Sequence, residues 1–369
     1  MKHLNILFLA LLFPVFLFSQ ELKYNTEVHF FFDNNEFSKS NLAIDQTMAG
    51  VTLTQEIGWK FDDKHYIMGG VDAMKSLGGH QVLNDIHLLA YYQLKDENTL
   101  FKAGAFHRHD MLDDYSNFFF QDSISFYKHT MEGLYFQKGD DRQFVKLWLD
   151  WTGLQTETER ESFYVGASGY KGFGKLFFAD FQSYMHHYAT TRPNITYQTV
   201  VDNILAQLSV GLKYSNEKIG LNNLRLSLGV LSGFERDRRN MSNYGTPTGG
   251  VSRLDADYRG FGTENLFYYG QERMVMYERY GNQVYWGNPF LRSKMYFQNK
   301  LYWNFLDNDH VRGQIAARTH LSEGKFYFEQ MLTLSAHINN YHPKKVKREP
   351  TFWERVFPRS GRASDGIEM

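Results

Sequence analysis

Histidine and aspartate crowd two short stretches of the chain. The first reads His107-Arg108-His109-Asp110, with Asp113 and Asp114 close behind, and the second is His186-His187. An imidazole oriented by a carboxylate can serve as a general base, and beside a hydroxyl nucleophile such a set performs acyl transfer or hydrolysis. His107, His109, Asp110 and His186 therefore form a possible rim site, and the same groups are suitable ligands for a transition metal. Against both readings, no nucleophile stands out by spacing, the chain has no cysteine, and surface loops often carry His and Asp without chemistry. The expectation is accordingly that the protein is not an enzyme and has no catalytic residue, no metal and no cofactor. A stretch from Asp255 through Asp257 to Gly260 begins like a calcium loop. It lacks the third carboxylate, and Leu266 stands where the acidic twelfth position is required.

Whatever these residues do, strands must position them. Between Asn84 and Lys95, Ile86, Leu88, Ala90, Tyr92 and Leu94 share one parity, while Asp85, His87, Leu89, Tyr91, Gln93 and Lys95 share the other. That period of two marks a strand with one apolar and one mainly polar face. Val145, Leu147, Leu149 and Trp151 oppose Arg142, Lys146 and Asp150 in the same way. Leu224, Leu226, Leu228 and Val230 oppose Arg225 and Ser227. About fourteen such segments can be traced. Short turns, such as Asp96-Glu97-Asn98 and Asp307-Asn308, alternate with longer connections, such as Asn35 to Gly50 and His109 to Lys128. An up-and-down transmembrane barrel has this rhythm, with short periplasmic turns and long external loops.

Composition agrees. The 369 residues include 32 Phe, 24 Tyr and 6 Trp, too aromatic for a disordered chain, and 40 basic residues against 41 acidic leave no basic surplus for binding nucleic acid. Mean hydropathy is −0.48, and beyond the N-terminus no uncharged apolar run is long enough for a spanning helix. The polar faces carry full charges, including Glu27, Glu56, Asp72, Lys146 and Arg312. A dry inter-sheet core excludes such charges, whereas a water-filled barrel in lipid accommodates them. The fold predicted is an all-β, transmembrane, up-and-down antiparallel barrel of about 14 strands. Lys2 and His3, an apolar run from Leu4 to Phe18, and Ser19-Gln20 make residues 1–19 a secretory signal. Residues 20–341 then form the barrel in the outer membrane, within the lipid bilayer and its lipopolysaccharide, and 342–369 form a basic periplasmic tail.

Inward parity distributes charge unevenly. An acidic wall is expected from Glu27, Glu56, Asp72 and Asp85, facing a basic wall of Arg225, Arg292, Lys294, Lys300, Arg312 and Arg318. Two sectors of opposite sign would orient dipolar solutes in a lumen. Residues 235–289 are expected to form one long external or plug loop that begins charged and becomes aromatic, through Phe267, Tyr268, Tyr277, Tyr285 and Trp286. It has enough apolar surface to fold inward as a plug or to dock a partner.

Several runs carry a resemblance: Leu149-Asp150-Trp151 with Glu159-Arg160-Glu161, Tyr184-Met185-His186-His187-Tyr188, and Tyr285-Trp286-Gly287-Asn288-Pro289-Phe290. With the signal ending Phe18-Ser19-Gln20, they resemble a family of poorly characterised, porin-like outer-membrane barrels from Bacteroidota. The resemblance implies location and carries no site residues. The function expected is a passive porin-like channel for small polar solutes. The alternatives are a non-conducting subunit of an outer-membrane secretion or assembly complex, meeting its partner through 235–289 or the 342–369 tail, and a hydrolase or acyltransferase-type enzyme at the rim.

Overall fold

The computed structural model describes residues 21–340 except positions 109, 110 and 196. The signal segment 1–19, the tail 342–369, His109 and Asp110 lie outside the described residues. Alternating parity builds sixteen antiparallel strands into one closed barrel. The first half comprises β1 (Glu21–Glu36), β2 (Gln46–Phe61), β3 (His65–Ser76), β4 (Asp85–Asp96), β5 (Thr99–His107), β6 (Thr130–Asp140), β7 (Gln143–Gly153) and β8 (Ser162–Phe173). The second half comprises β9 (Phe177–Tyr188), β10 (Val201–Asn216), β11 (Leu221–Asp237), β12 (Thr248–Tyr258), β13 (Phe261–Gly270), β14 (Met295–Asp307), β15 (Val311–Ser322) and β16 (Lys325–Asn339). Each strand pairs with its sequence neighbours, and β1 pairs with β16 from Asn25 opposite Asn339 to Glu36 opposite Phe328. Closure leaves no ladder edge unpaired in lipid.

The strand count exceeds the expected fourteen by two, and both additions fall inside 235–289. That span is not one long loop: β12 and β13 form a wall hairpin, and residues 271–294 form the connection that follows. The outward face of β12 carries Gly250, Ser252, Leu254, Ala256 and Tyr258, so its apolar alternation is faint, while Arg253, Asp255 and Asp257 point inward.

Lipid-facing positions read as the parity predicts. Leu88, Val210, Leu228, Leu301 and Ile315 are exposed on the outer surface, and Trp59, Tyr258 and Phe261 stand near the short-turn end. Much of the aromatic side-chain mass is inside the barrel. Tyr135, Trp148, Tyr164, Tyr184, Tyr268 and Tyr296 are buried inward wall residues in the main apolar cluster. They pack against two long connections from one end of the barrel, 108–129 and 271–294, which supply Tyr115, Phe118, Phe119, Val284, Tyr285, Trp286 and Phe290. The first connection includes a short helix, α1 (Asp122–Tyr127). The aromatic rungs of the wall are thus packing surface for a plug.

Candidate functional site

The two plug segments bind each other and the wall. The Gln121 amide donates to the Trp286 carbonyl at 2.8 Å, and the Asn288 amide to the Asn117 carbonyl at 3.2 Å. Lys146 on β7 reaches Asp113 and Asp114 at 2.6 and 2.8 Å. Tyr285 donates to Glu235 Oε2 at 2.6 Å, and the same carboxylate accepts the amides of Met274 and Val275 at 3.1 and 2.9 Å. Tyr280 donates to Asp237 Oδ2 at 2.8 Å. Burial, aided by its bond to Asp237, pushes the Tyr280 hydroxyl up to about 12. Burial beside Glu235 raises Tyr285 further still.

Under this plug lies a serine–histidine pair. Ser162 opens β8 and His186 lies two residues before the end of β9, and both point into the lumen at the end from which the plug descends. Ser162 Oγ stands 2.8 Å from His186 Nε2, and His186 Nδ1 stands 3.2 Å from the Val284 carbonyl. A carbonyl only accepts, so Nδ1 carries the proton and Nε2 is left to accept from the serine hydroxyl. Asn203 donates to the same Val284 carbonyl at 2.9 Å, fixing the group that selects the tautomer. Tyr164 stacks on the imidazole, with centroids 3.9 Å apart and planes within 5°. Thr152 Oγ1 lies 2.8 Å from Ser162 Oγ. With the serine proton committed to His186, the threonine donates. The ladder register between β7 and β8 shifts between Trp151 and Gly153, which sets Thr152 beside Ser162. A hydroxyl nucleophile and an oriented base are the minimum for covalent acyl chemistry.

His107 shares none of these partners. It faces Asp72 on β3 and Glu27 on β1, at 3.6 and 3.9 Å. Of the four residues expected at one rim site, His186 belongs to the serine pair and His107 to a separate carboxylate–histidine group, while His109 and Asp110 are outside the described residues. Ser162 escaped notice because it is 24 positions from His186, and only the β8–β9 register joins them. A second imidazole, His320, lines a cleft of about 260 Å³ with Asp33, Arg318 and Glu329. Both its nitrogens are occupied, Nε2 by Glu329 at 2.9 Å and Nδ1 by Tyr296 at 2.7 Å. Its hydroxyl partner is a tyrosine, and neither nitrogen meets a serine or threonine hydroxyl.

The expected opposition of two charged walls is also revised. Arg225 pairs with Asp180, Lys300 approaches Glu264 at 3.8 Å, and Arg318 meets Glu329 at 2.8 Å and Asp122 at 2.5 Å. Arg292 sits in the Pro289–Arg292 turn, bonded to Glu278 at 2.7 Å, and Lys294 precedes β14. Neither is a wall residue. Arg312 is exposed at the short-turn end of β15. Among the acids, Glu56 accepts from Tyr91 and Asn25, each at 2.9 Å, and Asp85 lies 3.1 Å from His87. Partners are local because a buried charge needs neutralisation within contact distance.

A family model described as Lipid A 3'-O-deacylase-type matches residues 17–340, nearly the whole barrel. The chain belongs to this family. That membership overturns the expectation that the protein is not an enzyme, since the family is described by a deacylation reaction. No curated protein matches the chain. Among solved structures, OmpTdeltaL8, a loop-deletion mutant of an outer membrane protein of Vibrio cholerae, superposes with a TM-score of 0.50 at 10% identity, covering 87% of this chain and 100% of that one. OccK2 (OpdF) of Pseudomonas aeruginosa gives 0.48 at 11% identity, over 87% and 98%. Identities this low show the fold alone. Family and fold together make the chain an outer-membrane β-barrel of the deacylase type.

Proposed function

We propose that this barrel is an acyl-ester hydrolase of the outer membrane, with an acylated glycolipid of the lipid A kind as substrate. The observation that carries the reading is the Ser162–His186 contact with the imidazole tautomer held by Val284. In this reaction Ser162 Oγ attacks the ester carbonyl and its proton passes to His186 Nε2. The imidazolium returns that proton to the departing sugar oxygen, leaving an acyl-serine. Water, deprotonated by the same imidazole, then attacks the acyl-serine, and the imidazolium gives its proton to the departing Ser162 Oγ as the fatty acid leaves. The family description supports the ester class, and the pair lies at the loop-bearing end, which faces outward in such barrels.

The test is mass spectrometry of lipid A incubated with purified protein. Loss of one ester-linked acyl chain is expected, falling at least about a thousandfold in Ser162→Ala and His186→Gln. Deacylation that survives Ser162→Ala at the wild-type rate would remove Ser162 from the role. A second reading, passage of small polar solutes, draws support from inward charges such as Lys300 and Arg312. It requires the plug to leave the lumen.

A further inference from the structure

Between β3, β5 and β6, Asp72, His107 and His129 bring one carboxylate and two imidazoles together, with a ligand atom from each within 4.8 Å of the others. Asp72 is an inward residue of β3 and wholly buried, and His129 is 4% exposed. His107 ends β5 and His129 directly precedes β6, with the Arg108 amide donating to the His129 carbonyl at 2.7 Å. The two histidines are therefore the two feet of the plug segment 108–129, clasped at its neck.

The polar atoms of Asp72 and His129 do not satisfy one another. His129 Nδ1 approaches Asp72 Oδ1 at 2.8 Å, yet neither oxygen of Asp72 nor either nitrogen of His129 has a hydrogen-bond partner among the described residues. A buried carboxylate and a buried imidazole left this way are costly. A dication placed among them removes both deficits. His107 turns Nε2 toward Asp72, 3.6 Å from Oδ2, and Nδ1 toward Glu27, 3.9 Å from Oε2. An imidazole with one nitrogen on the metal side and a carboxylate behind the other is a recurrent second-sphere arrangement, in which the outer carboxylate fixes the ring and raises its basicity. Glu27 is itself faced by His337 at 3.5 Å.

We propose that Asp72, His107 and His129 bind a divalent transition-metal ion of the zinc class, which pins the plug segment to the barrel wall at β3. Two imidazoles and one carboxylate suit zinc and its neighbours far better than calcium or magnesium, which take oxygen ligands. Bonds of about 2.0–2.2 Å in a tetrahedron place donors roughly 3.3 Å apart, and the separations of 3.6 and 2.8 Å from the two histidines to the Asp72 oxygens, one to each, bracket that value. Three protein ligands leave the fourth position for water. The site does not depend on the Ser162–His186 reading.

The experiment uses the full chain in detergent micelles, stripped with chelator and titrated with Zn²⁺ by calorimetry and with Co²⁺ by visible absorption. One equivalent of each is expected to bind, Co²⁺ with the intense visible bands of a four-coordinate site. Asp72→Asn and His129→Ala should each weaken Zn²⁺ binding by more than about 100-fold, and Glu27→Gln by about 10–100-fold. Retention of the folded barrel in each variant is read from its heat-modifiable gel mobility. The absence of saturable Zn²⁺ binding and of Co²⁺ bands in the wild type would overturn the site without reference to any variant. Undiminished affinity in a folded Asp72→Asn protein would overturn the ligand assignment. Zn²⁺ should also slow proteolysis of the 108–129 segment, whereas a metal held elsewhere would leave that rate unchanged. Lipid deacylation enters none of these readouts, so the site and the hydrolase reading can fail separately.

Discussion

Gly287 passes Phe118 so closely that a Cβ on the glycine would stand 2.2 Å from the Phe118 carbonyl oxygen. The contact joins the two plug segments, and backbone hydrogen bonds from Gln121 to Trp286 and from Asn288 to Asn117 flank it. The plug is therefore one body assembled from two distant stretches of chain, and the absence of a side chain at 287 permits their backbones to meet.

Gly287→Val should separate the segments while leaving the wall intact. The added atoms meet backbone, which cannot rotate away, so the expected destabilisation of the plug is that of core overpacking, about 1–3 kcal/mol. Limited proteolysis should cut the variant faster within 108–129 or 271–294. Its heat-modifiable mobility should stay wild-type, because no strand pair is touched.

High pH should release the plug before it unfolds the barrel. An ordinary tyrosine hydroxyl ionises near 10, whereas Tyr280 in the folded protein is held up to about 12 by burial and Asp237. The folded value is the higher one, so this contribution is complete below pH 10 and disappears as pH rises through about 12. Tyr285 and Tyr115, raised by burial, act in the same direction. Phenolate absorbance should show a late-titrating group of tyrosines. Tyr280→Phe should remove one of them, and a profile unchanged by that substitution would place the late group elsewhere.

Parity made the wall legible and left the interior obscure. Leu88 against His87, or Leu228 against Arg225, declares which side faces lipid, because a one-residue alternation is local and strong. The fold class and fourteen of the strands follow from such pairs. β12 was missed where Gly250, Ser252 and Ala256 weaken its lipid face. The plug escaped for a different reason. Phe118, Tyr285 and Trp286 have no periodicity, and nothing local distinguishes an aromatic loop in the lumen from one at the surface. Ser162–His186 and Asp72–His129 depend on register and on chain return, across separations of 24 and 57 positions, a spacing that carries no recognisable motif. His186 and His107 were visible as residues with chemistry, and their partners only as geometry.

Leu228 tests the lipid boundary. It lies at the middle of β11, opposite Val210, and is 62% exposed on the outer surface. Leu228→Arg should cost about 2–4 kcal/mol if that position sits at the bilayer midplane. Refolding into vesicles, followed by gel mobility against urea, should show the loss, whereas Arg312→Lys, at an exposed position of β15 near the short turns, should be nearly silent.

Conduction offers the sharpest test of the plug. With 108–129 and 271–294 packed against Tyr135, Trp148, Tyr164 and Tyr296, the wild-type barrel should pass little or no current in a planar bilayer. Replacing 111–128 and 272–292 by short Gly-Ser linkers removes the aromatic mass while sparing His107, His129 and every strand. A sixteen-stranded wall freed of its filling leaves an aqueous lumen, and steady ion conductance should follow. Opening only one segment should give a smaller, flickering current, because the remaining half stays latched to Glu235 or to Lys146. Large steady conductance in the untouched protein would mean that the plug does not close the pore, and solute passage would then take precedence over its latching role.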